Sequence, residues 1–224
     1  MPRTFVFGRM MGHLRPLALL RVLLAVATPT SAAAQLAPDS PRLISPHGSS
    51  GLGVHWVRSD ALPGSEGALL ATWAPARLPD GLRFRTAMGR GAEGSSAVLG
   101  GVDLQVPLRR GGSLRSLAVD WQSGAGVSFG DYTILTVPVG LTAGVSWTSG
   151  AVWLAPWASA GFAADMRLGG AAPAEEFTVT PAFEVGADLA LDVERRFVFR
   201  TAVGLGERQA VSLGLAYGLG RLTR

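Results

Sequence analysis

The sequence predicts an all-β chain: an antiparallel up-and-down transmembrane β-barrel of about ten strands, with eight as the alternative. Three observations predict it. Long segments alternate large apolar residues with small or polar ones, and period two marks extended strands whose faces meet different surroundings. Turn-like links join these segments. Charged residues make up only 16% of the 224 residues, against ~25% in ordinary soluble domains, as expected when much of the surface faces lipid.

The N-terminus reads as an export signal. Arg3, Arg9, Arg15 and Arg21 occur with no acid, around the apolar runs Leu17–Leu20 and Val22–Ala27, and Ser31-Ala32-Ala33-Ala34-Gln35 follows. A basic start, a short apolar core and an A-x-A exit describe a cleaved signal peptide over residues 1–34, cut between Ala34 and Gln35. The apolar run falls short of the ~20 residues a spanning helix needs. Residues 35–50, with Pro38, Pro41 and Pro46, show no period and read as a linker or periplasmic tail.

The barrel is expected over 51–224. Alternation places strands at 51–58, 67–75, 81–90, 96–108, 113–123, 131–147, 151–166, 177–193, 196–206 and 209–220. In the first, Val54, Trp56 and Arg58 lie on the face opposite His55. In the fourth, Val98, Val102, Leu104, Val106 and Leu108 alternate with Leu99, Gly101, Asp103 and Gln105. In the sixth, Val137, Val139, Leu141, Val145 and Trp147 share a face. The eighth alternates from Phe177 to Val193, with Glu184, Asp188 and Asp192 together on the face opposite the large apolar residues. In the last, Val211, Leu213, Leu215, Tyr217 and Leu219 alternate with Ser212, Gly214, Ala216, Gly218 and Gly220. Several segments reach the ~9–11 residues of a tilted bilayer-crossing strand. The links Leu78–Gly81, Arg109–Gly112, Thr148–Gly150 and Glu194–Arg195 are tight enough to make consecutive strands antiparallel neighbours. In lipid such a meander must close, because open backbone groups find no water there.

The faces opposite the large apolar residues are mainly Gly, Ala, Ser and Thr, which suits a crowded interior better than a water-facing wall. The charges on them form an expected polar cluster in the lumen: Arg83, Arg85, Asp103, Asp120, Glu184, Asp188, Asp192 and Arg200. Both signs occur, so pairing and a narrow or plugged lumen are expected rather than a general porin. Phe129, Tyr132, Trp147, Trp153, Phe177 and Phe197 lie near strand ends and are expected to form aromatic girdles at the two membrane surfaces.

A signal peptide before such a meander resembles the small outer-membrane β-barrel proteins of Gram-negative-type bacteria. The final strand carries the most specific likeness. These barrels end in an assembly signal of the form polar-x-Gly-x-x-aromatic-x-hydrophobic, which Ser212, Gly214, Tyr217 and Leu219 match, although this chain continues to Arg224 where family members usually end on an aromatic. The resemblance implies a bacterial outer-membrane location, with outer-membrane lipid and the barrel-assembly machinery as partners.

Chemistry is sparsely represented. With no cysteine there is no disulfide, thiolate site or lipid-anchored Cys. All 20 basic residues are arginine. Removing residues 1–34 leaves 16 Arg against 16 acids, so no basic footprint for nucleic acid is expected. Hydrolytic barrels use His with Ser or an acid. Here the mature chain has His47, in the Pro/Ser tail, and His55, which lacks a neighbouring Ser motif. Glu184, Asp188 and Asp192 recur every four residues, ~13 Å apart along a strand, too far for a paired-carboxylate site. No metal site, cofactor or catalytic residue is expected. The small-molecule ligand stays open. The expected function is that of a non-enzymatic outer-membrane barrel with a structural, adhesive or narrow-channel role. The alternatives are a barrel enzyme acting on lipid or peptide, and a secreted soluble β-barrel or sandwich binder.

Overall fold

A computed structural model of the chain describes residues 42–48, 50–59, 65–75, 81–91, 96–109, 116–130, 132–169, 176–192 and 194–218. The expected cleavage residues Ala34 and Gln35, and Leu219 of the expected assembly signal, lie outside them. Ten strands follow one another: β1 Gly51–Ser59, β2 Ser65–Ala74, β3 Leu82–Gly91, β4 Ser96–Arg109, β5 Ser116–Phe129, β6 Thr133–Ser149, β7 Val152–Leu168, β8 Glu176–Ala190, β9 Phe197–Leu205 and β10 Ala210–Gly218. Each pairs antiparallel with its sequence neighbours, and β1 pairs with β10 from Gly51↔Gly218 to Ser59↔Ala210, closing the barrel. The fold is therefore all-β, a closed ten-stranded antiparallel up-and-down barrel. An even strand number brings Gly51 and Gly218 to the same end.

Side-chain parity divides the wall. On β1, Leu52, Val54 and Trp56 face outward while His55, Val57 and Ser59 are buried. On β9, Phe197, Phe199, Val203 and Leu205 face outward while Val198, Arg200 and Ala202 are buried. Leu69, Met88, Val137, Leu141, Phe162, Val185 and Leu213 continue an apolar exterior around the ring. The buried polar and charged side chains are inside. This inverts the soluble pattern, in which the apolar face fills the core.

Two strand ends depart from the sequence reading and one ladder is irregular, each for a local reason. β5 runs to Phe129, well past residue 123, straight through Ser123-Gly-Ala-Gly126. That stretch has the composition of a turn, yet a Cβ at Gly124 would sit 2.5 Å from Asp103 Oδ1 and 2.7 Å from the Val102 carbonyl. Glycine there admits the neighbouring strand rather than breaking its own. β8 stops at Ala190, short of residue 193, because Asp192 is recruited by the following turn. β4 carries a register shift against β5 between Pro107 and Arg109, where the proline cannot donate to the ladder.

Candidate functional site: the filled lumen

The tail before β1 is not a passive linker over its described part. Residues Arg42–Gly48 lie inside the barrel, with Leu43, Ile44 and Ser45 almost wholly shielded from solvent. Extended backbone offers unpaired amides and carbonyls, and buried ones need partners. The wall supplies them. The Arg42 and Leu43 amides donate to Glu184 Oε2 and Oε1, each at 3.1 Å. The Leu43 carbonyl accepts from Arg83 Nη1 at 2.7 Å and Arg200 Nη1 at 3.1 Å. The Ile44 carbonyl accepts from the Thr142 hydroxyl at 3.4 Å, and the Ser45 carbonyl from Gln105 Nε2 at 3.0 Å. Ser45-Pro-His-Gly48 then turns, with the Gly48 amide donating to the Ser45 carbonyl at 3.0 Å. Pro46 is at the turn position that favours its fixed φ. Leu43 has a positive φ of 57°, a conformation that costs a non-glycine residue energy and persists only where its surroundings hold it. Its side chain joins an apolar cluster with Val57, Leu70, Leu99 and Trp157.

Around this segment the expected polar cluster separates into individual roles. Arg200 and Asp188 form a two-pronged ion pair, Nε and Nη2 each 2.7 Å from a carboxylate oxygen. Arg85 lies 3.3 Å from Asp103, with Arg42 Nη2 on the same carboxylate at 3.8 Å. Asp120 accepts from Gln105 Nε2. Glu184 holds the two tail amides. Arg83 faces Asp103 in the β3–β4 register but donates to the Leu43 carbonyl instead. Asp192 does not join the cluster: it lies beyond β8 and accepts the Arg196 amide at 2.8 Å. A further pair that sequence reasoning missed, Arg208 with Asp165, is held by the 3-10 turn Gly206–Arg208 and the end of β7.

The aromatics also separate. Phe129, Trp147, Phe177 and Phe197 are exposed on the outer wall. Tyr132 lies under the Arg167 guanidinium, 3.7 Å from its ring centre. Trp153 is not a girdle residue. It is 2% exposed, faces inward with Ala155 and Trp157, and meets His47 edge-on at 6.4 Å. Its nearness to a turn suggested the membrane surface, but its parity on β7 sends it inside.

His55 is fully buried, with Nε2 at 3.5 Å from the Thr72 hydroxyl. Its ring occupies space left by two glycines. A Cβ at Gly214 would be 2.2 Å from His55 Nδ1, and one at Gly53 would be 2.7 Å from Nε2. Gly214 thus has a packing role in addition to its place in the expected assembly signal. In the same strand Ser212 is buried and Tyr217 faces out, its ring 5.2 Å from Phe197. His47 lies outside the wall strands. Burial lowers its pKa from the ordinary value, partly offset by a hydrogen bond to the Gly144 backbone.

These features define a class: a closed antiparallel barrel with an apolar exterior, whose lumen is occupied by its own N-terminal segment. No family model and no curated protein matches the chain. Among solved structures it is similar to Ail, the attachment invasion locus protein of Yersinia pestis, in a complex with the heparin analogue sucrose octasulfate. Identity is 11% over 75% of this chain and 94% of that chain, with a TM-score of 0.27. A likeness of that size carries no inference about ligand or activity.

Proposed function

We propose that the chain is an exported bacterial outer-membrane barrel that serves as a closed wall protein, structural or adhesive, and neither an enzyme nor an open channel. The occupied lumen carries this reading. A diffusion pore needs a continuous aqueous path, whereas here Leu43, Ile44 and Ser45 fill the interior and bond to β3, β4, β6, β8 and β9. The apolar exterior supports placement in lipid, since a water-facing wall carrying Trp56, Leu69, Met88 and Phe162 would aggregate. The basic–apolar–A-x-A start supports export. Against hydrolysis, His55 is sealed inside against Thr72, where neither lipid nor peptide reaches it.

Carbonate extraction of fractionated cells should leave the protein in the outer-membrane pellet, with an N-terminus at residue 35. Recovery in the soluble fraction without detergent would show a secreted binder instead. In planar bilayers the purified protein should give no steady conductance. A porin-sized step would show an open lumen.

A further inference from the structure

At the barrel end that carries Gly51 and Gly218 the lumen widens into a cavity of about 160 Å³. His47, Arg83, Trp153, Asp188 and Arg200 line it, with Glu194 and Arg195 at its rim. That space admits several waters or one small oxyanion. Its charges are not balanced. Asp188 is fully engaged by Arg200, and Glu194 pairs with Arg196. The carboxylate nearest Arg83 in register, Asp103, is already flanked by Arg85 and Arg42. Among the described residues Arg83 has one hydrogen-bond acceptor, the Leu43 carbonyl, and no carboxylate within ion-pair distance. A guanidinium carries five donors, so most of this one is uncommitted. Arg83 is nevertheless only 8% exposed.

Two groups that line the cavity are unsatisfied. Trp153 Nε1 and His47 Nε2 are buried without a hydrogen-bond partner among the described residues. Burying an indole N–H without an acceptor is costly, and the remaining Arg83 donors border the cavity, so both call for an occupant there. The Trp153 N–H and the Arg83 guanidinium leave donors and positive charge in surplus, which a hydrogen-bond-accepting anion meets, while His47 Nε2, on the ring that bonds the Gly144 backbone, accepts an O–H from a protonated oxyanion. Arginine meets phosphate-type oxygens with paired donors.

We propose that this cavity binds one small tetrahedral oxyanion of the phosphate type, taken from solution at the barrel end that carries Gly51 and Gly218, with Arg83 as the principal donor and the Trp153 indole N–H as the second. The charged lining residues Arg83, Asp188 and Arg200 are buried on the inward face of the wall, which favours a free solute over a lipid headgroup. The site needs the closed barrel but not its placement in a particular membrane.

The test is titration of the mature protein, in an uncharged detergent, with inorganic phosphate by calorimetry. One saturable site per chain is expected. Arg83→Gln should weaken it at least about tenfold, the loss of a charge-assisted contact. Trp153→Phe keeps an aromatic six-membered ring but removes the N–H donor with the rest of the indole, and should weaken binding about threefold. Arg167→Gln, at the opposite end, should change nothing. Heat-modifiable gel mobility reports folding, and if Arg83→Gln does not fold, Trp153→Phe decides. No saturable binding by the native chain overturns the proposal, as does binding indifferent to both substitutions. Binding of phosphatidylglycerol vesicles without binding of inorganic phosphate overturns the free-solute assignment.

Discussion

Arg83 on β3 and Arg200 on β9 meet at a single acceptor, the Leu43 carbonyl, at 2.7 and 3.1 Å. Two like charges are brought together across the lumen by a backbone oxygen belonging to neither strand. Arg200 is offset by Asp188, whereas Arg83 depends on that carbonyl and on more distant acids. The inserted segment is therefore an electrostatic component of the interior as well as a filler.

A chain lacking residues 42–48 should show what that component does. Removing it takes away Leu43, Ile44 and the carbonyl that both arginines use. The truncated barrel should give a steady conductance in planar bilayers where the full chain gives none. An equally silent truncated barrel, shown to be folded by its gel mobility, would place the seal in the wall instead.

Asp188→Ala strands Arg200 without its two-pronged partner. Breaking one side of a buried pair costs about 3–5 kcal/mol. Urea unfolding from lipid vesicles should show a loss of that order. The double variant Arg200→Met, Asp188→Leu should lose less than Asp188→Ala alone, since no buried charge is left over. Equal losses would mean that lumen water solvates Arg200 and the pair contributes little.

Gly53 is predicted to be intolerant of a methyl group. A Cβ there would lie 2.5 Å from the Thr72 hydroxyl and 2.7 Å from His55 Nε2. Gly53→Ala should cost about 1–3 kcal/mol, the usual range for overpacking. Adding His55→Ala should recover part of that loss, because it vacates one of the two contacts. Additive losses would show that His55 and Gly53 do not share the space.

His47 gives the stability a pH dependence of definite sign. Burial lowers its folded pKa below the unfolded value of 6.5. Folding therefore favours the neutral ring, and the full contribution is present above that unfolded value. As pH falls below it, the unfolded state takes up the proton first and stability declines toward the lower folded pKa. The urea midpoint of the native chain should drop between pH 8 and pH 5 by more than that of His47→Gln. Parallel curves would assign the acid sensitivity to the carboxylates.

The wall was legible because period two is local. A residue's parity on a strand says which face it shares, and β1 to β10 follow that alternation closely. The interior charges were legible for the same reason, down to Arg83, Arg85, Asp103, Asp120, Glu184, Asp188 and Arg200. Two residues show where the reading misleads, for opposite reasons: nearness to a turn puts Trp153 at the membrane surface against its parity, and parity carried past the end of β8 puts Asp192 in the lumen. The occupied lumen was not legible, because an extended segment held by scattered donors has no period of its own. The one available signal was Leu43-Ile44, two large apolar residues in an otherwise Pro- and Ser-rich stretch. Partner identities, such as Arg83 choosing a carbonyl over Asp103, depend on distances across the ring that strand-by-strand reading does not contain.

The grip on Leu43 to Ser45 has a mechanical consequence. A barrel wall resists stretching along its hydrogen-bonded ring but has little of its own to stop it flattening into an ellipse. Glu184, Arg83, Arg200, Thr142 and Gln105 reach one short segment from five strands, several of them not neighbours in the ring. They act as spokes to a hub. Squeezing the cylinder along any of those diameters must shorten some of these bonds and lengthen others, so the cross-section is braced from within.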